Sequence, residues 1–534
     1  MTRPRIFGCV GGWLASFACF VDLGAQIKLP DPLRGVFTVS HVGQGPKVFR
    51  SLDVVGRYLS LAGITGDVEI VVEPGVYKGS MRFFSIPGQK PGQKILIRAS
   101  ESGKVQLESD TSIIQIVEGA HDLIFDGLAF GASGSAPTIA VKGSSQDIEI
   151  RNCHFTKGTG GSKVIEVQGE RKASGFDIHH NHFESLSGSY GIYTQATANM
   201  LVHHNDFHCA GVGEVISIWN SNKSQSRIYD NVFRGRISRT GIRLNVSGHD
   251  VDVTNNLFLL KSSTSVIGTR GLRNTAWNRI HHNLFVVLGE GPVFTSSGSV
   301  AINHNSYAVE SGTIGKIGNA VAEDFDSWRE SLAAVAVDDQ ADQDSALANR
   351  DFFTKHSDLL ALFHDFEEHE VAEEEPGEAV EPKKSIPVDP SVNAKEAART
   401  ALRKRRQYLI GLLNEPDVVA QRLAIRVLRG MGKSAAPAVA ALGRLCNHPH
   451  APVRADAAEA LGVIRIGAEI VIPELLRLLG DKDIYVLLPA IQTLAKFTHL
   501  ARQAEPDLRR LLEHSDAAVK AAAKAALAVI VEKN

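Results

Sequence analysis

Three histidine pairs, His179-His180, His203-His204 and His281-His282, fall in one register of a longer pattern, and His304 joins one of their columns. Imidazole is a common ligand for transition metals, so the series invites a metal reading, which would need the rings to converge to about 2.0 Å on an ion. Tyr229-Asp230 and Thr254-Asn255 interrupt the series, and a full repeat between pairs is a long reach for chelation. The expectation is a column of stacked turn histidines rather than a zinc centre. Cysteine offers no second framework: Cys9 and Cys19 lie in the first twenty residues, and Cys153, Cys209 and Cys446 are scattered without C-x-x-C spacing.

The element that must carry these histidines is a repeat. An apolar-x-x-Asn-x-aromatic unit returns at Ile178…Asn181-His182-Phe183, Val202…Asn205-Asp206-Phe207, Ile228…Asn231-Val232-Phe233, Val253…Asn256-Leu257-Phe258, Ile280…Asn283-Leu284-Phe285 and Ile302…Asn305-Ser306-Tyr307. Degenerate copies end at Phe130 and Phe155, so successive aromatics are 22 to 28 residues apart. Within a unit, stretches such as Val215-Ile216-Ser217-Ile218 and Ile242-Arg243-Leu244 have the period of a strand. A coil of about 25 residues cannot bury its own apolar face, whereas coils stacked at about 4.8 Å share one interior. The predicted fold is a right-handed parallel β-helix. The Asn should sit at a tight bend, tolerate left-handed backbone there and bond through its amide to its counterpart one coil away, with the aromatics stacked inside. Cys153 takes a ladder position and should be buried. Before the coils, Leu52, Val55, Leu59 and Leu61 have helical spacing and should cover the open N-terminal edge.

The stretches Glu73-Pro-Gly-Val-Tyr77-Lys-Gly79, Ile95-Leu-Ile-Arg-Ala99 and Leu123-Ile-Phe-Asp-Gly127-Leu-Ala-Phe130 resemble the start of pectate-lyase-like β-helix proteins, nearest to polysaccharide lyase family 6, the chondroitinase B and alginate lyase group. The resemblance covers roughly residues 35 to 310. It implies an active site on the sheet that follows each aromatic anchor, an acidic polysaccharide as partner, and calcium as the cofactor. Counting ten or eleven residues past the anchors gives an outward column of Glu166, Tyr193, Ser217 and Arg243. Two residues further lie Gln168, Gln195, Trp219 and Asn245, with Arg270 as an extension.

β-Elimination of a uronate needs its carboxylate neutralised, a base for the C5 proton and a donor to the departing oxygen. Arg243 could neutralise or donate, Tyr193 could exchange a proton and Trp219 could stack on a sugar ring; these are the candidate catalytic pair and the leading binding residue. Asn245, Gln195, Glu166 and Arg270 are the other candidate binding residues, and Glu214 is the candidate metal ligand. The group's catalytic Lys and Arg are not matched. Against Glu214-Val-Ile-Ser-Ile-Trp219-Asn220, Trp219 falls where the Lys belongs and Asn245 where the Arg belongs; one coil earlier, Gln195 and Trp219 do. Arg-His-Gly occurs nowhere in the chain. Two functions therefore stand side by side: a lyase on an acidic glycan, and a non-catalytic glycan-binding or cell-envelope scaffold. Epimerase or glycosidase chemistry would need a spaced carboxylate pair, for which Glu166 with Glu214 is the offer.

The C-terminal third changes class. Asp365 to Glu381 holds nine Asp/Glu and no Lys or Arg, then prolines 382, 387 and 390, a self-repelling linker. From Ala397 the chain is Ala/Leu-rich, with Leu428, Leu461, Leu494 and Leu527 spaced by 33 residues. Val453-Arg-Ala-Asp-Ala-Ala-Glu-Ala-Leu461 and its counterparts at Val486 and Val519 resemble the second helix of HEAT-type repeats, which implies an α-solenoid offering a surface to a protein partner.

At 534 residues the chain is multidomain, and 43% hydrophobic with 22% charged residues excludes general disorder and a polytopic membrane protein. A formal charge of −2 leaves no whole-molecule field for nucleic acid. Met-Thr-Arg-Pro-Arg, an apolar run from Ile6 to Val21 and Leu23-Gly24-Ala25 follow the order of a secretory leader, so the expected location is secreted, periplasmic or cell-envelope, with no transmembrane anchor after cleavage. The expected organisation is a leader over 1–25, a β-helix with a capping helix over 26–310, a C-terminal extension of it over 311–364, a linker over 365–396 and helical repeats over 397–534.

Overall fold

In a computed structural model the structure describes residues 30–131, 135–156, 162–169, 173–220, 225–246, 250–271, 278–296, 300–310, 314–317, 320–322, 346–347, 352–359 and 390–531. The expected leader and the acidic run lie outside the described residues.

The repeat winds as a parallel β-helix. In the coil that starts at Ser174, a first strand (Ser174–His179) ends at the Asn turn, a second (His182–Leu186) carries the aromatic, and a third (Tyr190–Gln195) completes the circuit. First strands stack in register, Ile150 on Ile178, Val202, Ile228, Val253, Ile280 and Ile302. In the next two coils the second and third strands run together as Asp206–Asn220 and Val232–Val246.

The amide ladder forms inside the stack. Asn181 Nδ2 donates to Asn205 Oδ1, Asn205 to Asn231, Asn231 to Asn256 and Asn256 to Asn283, each at 3.0 Å, and Asn283 to Asn305 at 3.1 Å. Each of these Oδ1 atoms also accepts from the backbone N–H of the preceding ladder Asn, so the buried carboxamides are satisfied on both sides. Cys153 is buried in the ladder position, its N–H donating to Asn181 Oδ1. The left-handed residue of the turn is not the ladder Asn but the one before it: His180, His204, Asp230, Asn255, His282 and His304 have φ between 52 and 59°. That residue reverses the chain and leaves the Asn free to point inward. Behind the ladder, Phe130, Phe155, Phe183, Phe207, Phe233, Phe258, Phe285 and Tyr307 stack with centroids 4.5 to 5.5 Å apart.

A helix, Leu52–Ala62, packs against strand Met81–Phe83 of the first coil. Leu52, Val55 and Leu59 are buried as expected, but Leu61 is 56% exposed because it falls on the outer face of the turn. A Cβ on Gly56 would lie 2.6 Å from the Arg82 carbonyl oxygen, so glycine permits that close approach.

The helical array begins at Pro390, inside the expected linker, with helix Pro390–Leu412. It continues through Val418–Gly430, Val439–Leu445, Ala451–Ile464, Ala468–Leu478, Ile484–Lys496, Glu505–Leu511 and Ala517–Ile530. Leu428, Leu461, Leu494 and Leu527 are all buried. Asp417, Asp483 and Asp516 cap the helices that follow them by accepting backbone N–H groups, which satisfies donors a helix start leaves open. No helix among the described residues is long and apolar enough to cross a membrane.

The array lies on the β-helix. Leu257, Leu284, Val286 and Ala308, on outward positions of second strands, join the array's core. Arg422 is fully buried and donates to the carbonyls of His282 (2.7 Å) and Asn283 (3.0 Å) and to Asp456 (2.7 Å). Arg426 bonds Asn255 and Asp456, and Tyr485 donates its hydroxyl to Asp252. Part of the array's surface, the repeats being expected to meet a protein partner, is occupied by the chain's own coils.

His282 is sealed in this contact, 2.8 Å from Asp483, and burial pushes its pKa from the ordinary 6.5 down to about 4 against the pull of Asp483. The unfolded chain therefore takes up a proton below pH 6.5 that the folded chain refuses until about pH 4. Stability is expected to fall as pH drops through that window and to be fully present above it. Urea midpoints measured across the window should show this slope, and His282→Gln should reduce it, while His204 and His448, which burial also lowers to about 4, keep the remainder.

Candidate functional site

The third strands carry the candidate residues, and their register brings the expected columns together. Glu166 pairs with Tyr193, Tyr193 with Ser217, and Ser217 with Arg243. Beside them Gln168, Gln195, Trp219, Asn245 and Arg270 follow one another in adjacent strands, with Arg270 in register through its backbone. The side chain of Arg270 is outside the described residues. Ile165, Ile192, Ile216 and Ile242 alternate with the first column and are buried, which fixes its direction as outward.

Outward does not mean free. Arg243 donates from Nε to Glu214 Oε1 at 2.9 Å and from Nη2 to Thr240 Oγ1 at 2.7 Å. Ser217 is fully buried, because the Trp219 indole folds toward it and donates from Nε1 to its hydroxyl at 2.9 Å. Trp219 itself remains 38% exposed. Glu166 is buried between Lys163, which forms an ion pair with it, and Gln168, whose amide donates at 2.8 Å. Gln195 is exposed and Asn245 half-buried.

A third column, three residues earlier in each strand, contains Glu214 together with Lys163, Tyr190 and Thr240, which the sequence did not single out. Lys163 pairs with Tyr190, Tyr190 with Glu214, and Glu214 with Thr240. Lys163 Nζ stands 4.5 Å over the Tyr193 ring, Tyr190 meets Tyr193 edge-on at 5.0 Å, and Arg239 lies 5.0 Å over Tyr190. The constant offset of three residues was the available signal. These contacts make a continuous aromatic and cationic surface.

Glu214, the expected metal ligand, stands beside Arg243 in this face. Its Oε1 is committed to Arg243 and its Oε2 is buried without a hydrogen-bond partner. Among the described residues, the only group of three or more His, Cys, Asp or Glu placed to hold an ion is His179, His180 and His203, on a different face. At Tyr193, expected to exchange a proton, burial raises the phenol pKa, Tyr190, Glu166 and Glu214 add to this, and Lys163 pulls the other way, leaving it above its ordinary value. It is suited to donating a proton, not to removing one at neutral pH. The histidine columns stack as expected, His179 on His203 and His180 on His204 at 4.8 Å each.

Residues 132–308 match the family model for the right handed beta helix region, and residues 407–495 match HEAT repeats. The chain thus joins a right-handed β-helix to HEAT-type repeats. Among solved structures, an engineered protein from a structural genomics consortium is 25% identical over 23% of this chain and 62% of its own, with a TM-score of 0.22. A designed armadillo repeat protein in complex with a peptide is 20% identical over 23% and 62%, with a TM-score of 0.21. An alginate lyase from Paenibacillus sp. str. FPU-7 is 14% identical over 54% of this chain and 99% of its own, with a TM-score of 0.39. The chain spans about 62% of the length of the first of these proteins. No curated protein matches the chain.

Proposed function

We propose that this is an exported protein that binds an acidic polysaccharide along the outward face of its third strands, and that the β-helix acts there as a rigid, non-catalytic receptor. The observation that carries the reading is the exposed Trp219 indole beside the Gln195 amide, the half-buried Asn245 and the Arg243 and Lys163 cations. A sugar ring presents apolar C–H faces to an indole and hydroxyls to amides, and a uronate carboxylate would compete with Glu214 for Arg243 and with Glu166 for Lys163. Export rests on the leader-like order of residues 1–25.

β-Elimination is the second reading. Arg243 and Tyr193 stand in one column two strand spacings apart, about 10 Å, a distance a pyranose can bridge. Among the described residues its base is the weak point: the Tyr193 phenol is raised, and Lys163 is paired with Glu166.

The test is affinity electrophoresis and calorimetry with alginate, pectate and chondroitin sulfate, read together with ultraviolet absorbance for unsaturated products. Retardation by at least one polymer without growth of absorbance is expected. Trp219→Ala should weaken binding about tenfold or more, the loss of a stacking contact of about 1.4 kcal/mol. Retardation by none of the polymers would remove the proposal. Absorbing products that vanish in Arg243→Ala would replace it with the lyase reading.

A further inference from the structure

The histidine pairs contain a contact that their columns do not explain. Within a pair, the two Nδ1 atoms face each other: His179 and His180 at 2.9 Å, His203 and His204 at 2.9 Å, His281 and His282 at 3.0 Å. The first histidine ends a strand and the second is the left-handed residue of the turn, so the two rings stand nearly perpendicular, at 82 to 87°. Two imidazole nitrogens this close need something positive between them, a proton or a metal ion.

A carboxylate one coil earlier sets the tautomer of His179, whose Nε2 bonds Glu149 at 3.2 Å. His203 Nε2 lies 3.0 Å from Asp177 Oδ1 without a hydrogen bond between them. An Nε2–H aimed at a carboxylate leaves a lone pair on Nδ1, directed away from the carboxylate and toward the neighbouring ring. This carboxylate-histidine arrangement is the one that orients imidazoles for ligation. Without a metal, His180 must supply the single proton of the Nδ1 contact. One nitrogen from each of His179, His180 and His203 lies within 4.8 Å of the others, at the edge of the β-helix where His180 is exposed, and side-chain rotation on binding must close this to the roughly 4.0 Å that two bonds of about 2.0 Å span.

We propose that His179, His180 and His203 form a binding site for one divalent transition-metal ion, with copper(II) or nickel(II) favoured over zinc(II). The preference follows from the bite. At bond lengths of about 2.0 Å, nitrogens 2.9 Å apart subtend about 90° at the ion. That is the angle of adjacent positions in square-planar or octahedral coordination, whereas a tetrahedral ion asks for a wider one. The third pair cannot add a site. His281 and His282 are buried under the array, His282 is bonded to Asp483, and the Tyr485 ring lies 4.2 and 5.0 Å from them.

The test is calorimetric titration of the full, chelator-treated chain with copper(II), nickel(II) and zinc(II) chlorides. One copper(II) ion per chain is expected, with nitrogen hyperfine structure in its electron paramagnetic resonance spectrum. His180→Ala and His203→Ala should each weaken it at least tenfold, while His304→Ala, which lies outside the site, leaves it unchanged. Circular dichroism keeps folding separate from binding, and the exposed His180 is the variant least able to disturb the coil. No binding would overturn the proposal. So would equal affinity in His180→Ala, or several equivalent sites, because either result assigns the metal to scattered histidines among the twenty in the chain.

Discussion

Asp456→Ala is expected to destabilise the chain by about 3–5 kcal/mol and to release the helical array from the β-helix, the cost of removing one partner from a buried ion network. Asp456 is buried and shared by two guanidiniums, Arg422 Nε at 2.7 Å and Arg426 Nη2 at 3.0 Å, which are themselves buried. Burial pushes its carboxyl upward, but Arg422 and Arg426 outweigh that and hold it below the ordinary value. Without it, two positive groups face each other out of water, and the carbonyls of His282, Asn283 and Asn255 compensate only part of the charge. The loss should appear as a lowered urea midpoint and as proteolytic separation of the array from the coils. Replacing Arg422, Arg426 and Asp456 together by apolar residues should cost less than Asp456→Ala alone, since no uncompensated charge remains. An unchanged midpoint in Asp456→Ala would show that the apolar contacts of Leu257, Leu284, Val286 and Ala308 hold the two parts together without the network.

Asn231→Ala should cost a similar amount, roughly 3 to 5 kcal/mol, for a different reason. Asn231 Oδ1 accepts from both the backbone and side-chain nitrogens of Asn205, and its Nδ2 donates to Asn256 Oδ1 and to the carbonyls of Val202 and Tyr229. Alanine strands two buried donors on one side and buried acceptors on the other, each unsatisfied group costing about 1–3 kcal/mol. The ladder is a chain of mutually polarising amides, so the damage should spread to both neighbouring coils. Hydrogen exchange should then show faster opening at Asn205 and Asn256. Unchanged exchange at those two positions would mean that each rung stands alone.

The β-helix was legible because its repeat is local and periodic. Each coil must place one amide and one aromatic at the same point, and six near-identical units announce that demand. The turn was read less well, because sequence cannot show which of two adjacent residues takes the left-handed conformation; the structure gives it to the residue before the Asn. The site columns were legible as register, since alternation and coil length fix which residues meet. Their chemistry was not. The Glu214 to Arg243 ion pair joins residues 29 apart, and Trp219 covers Ser217 through a side-chain rotation that no spacing encodes. The docking of the array left a faint mark, the apolar Leu257, Leu259, Leu284 and Val286 at outward positions where earlier coils carry His182, Glu184, Asp206 and His208.

The sequence by itself determined the two repeat architectures, their order, and which side chains share a column, because each is set by short-range periodicity and by burial of one face. Only the tertiary structure decided what those side chains do to one another. It closed Arg243 onto Glu214, brought the Nδ1 atoms of each histidine pair together, and laid the helices against the coils through Arg422, 140 residues from the His282 carbonyl it binds. Such contacts depend on rotamers and on surfaces far apart along the chain, and their energies exist only once the folded parts have excluded water from between them.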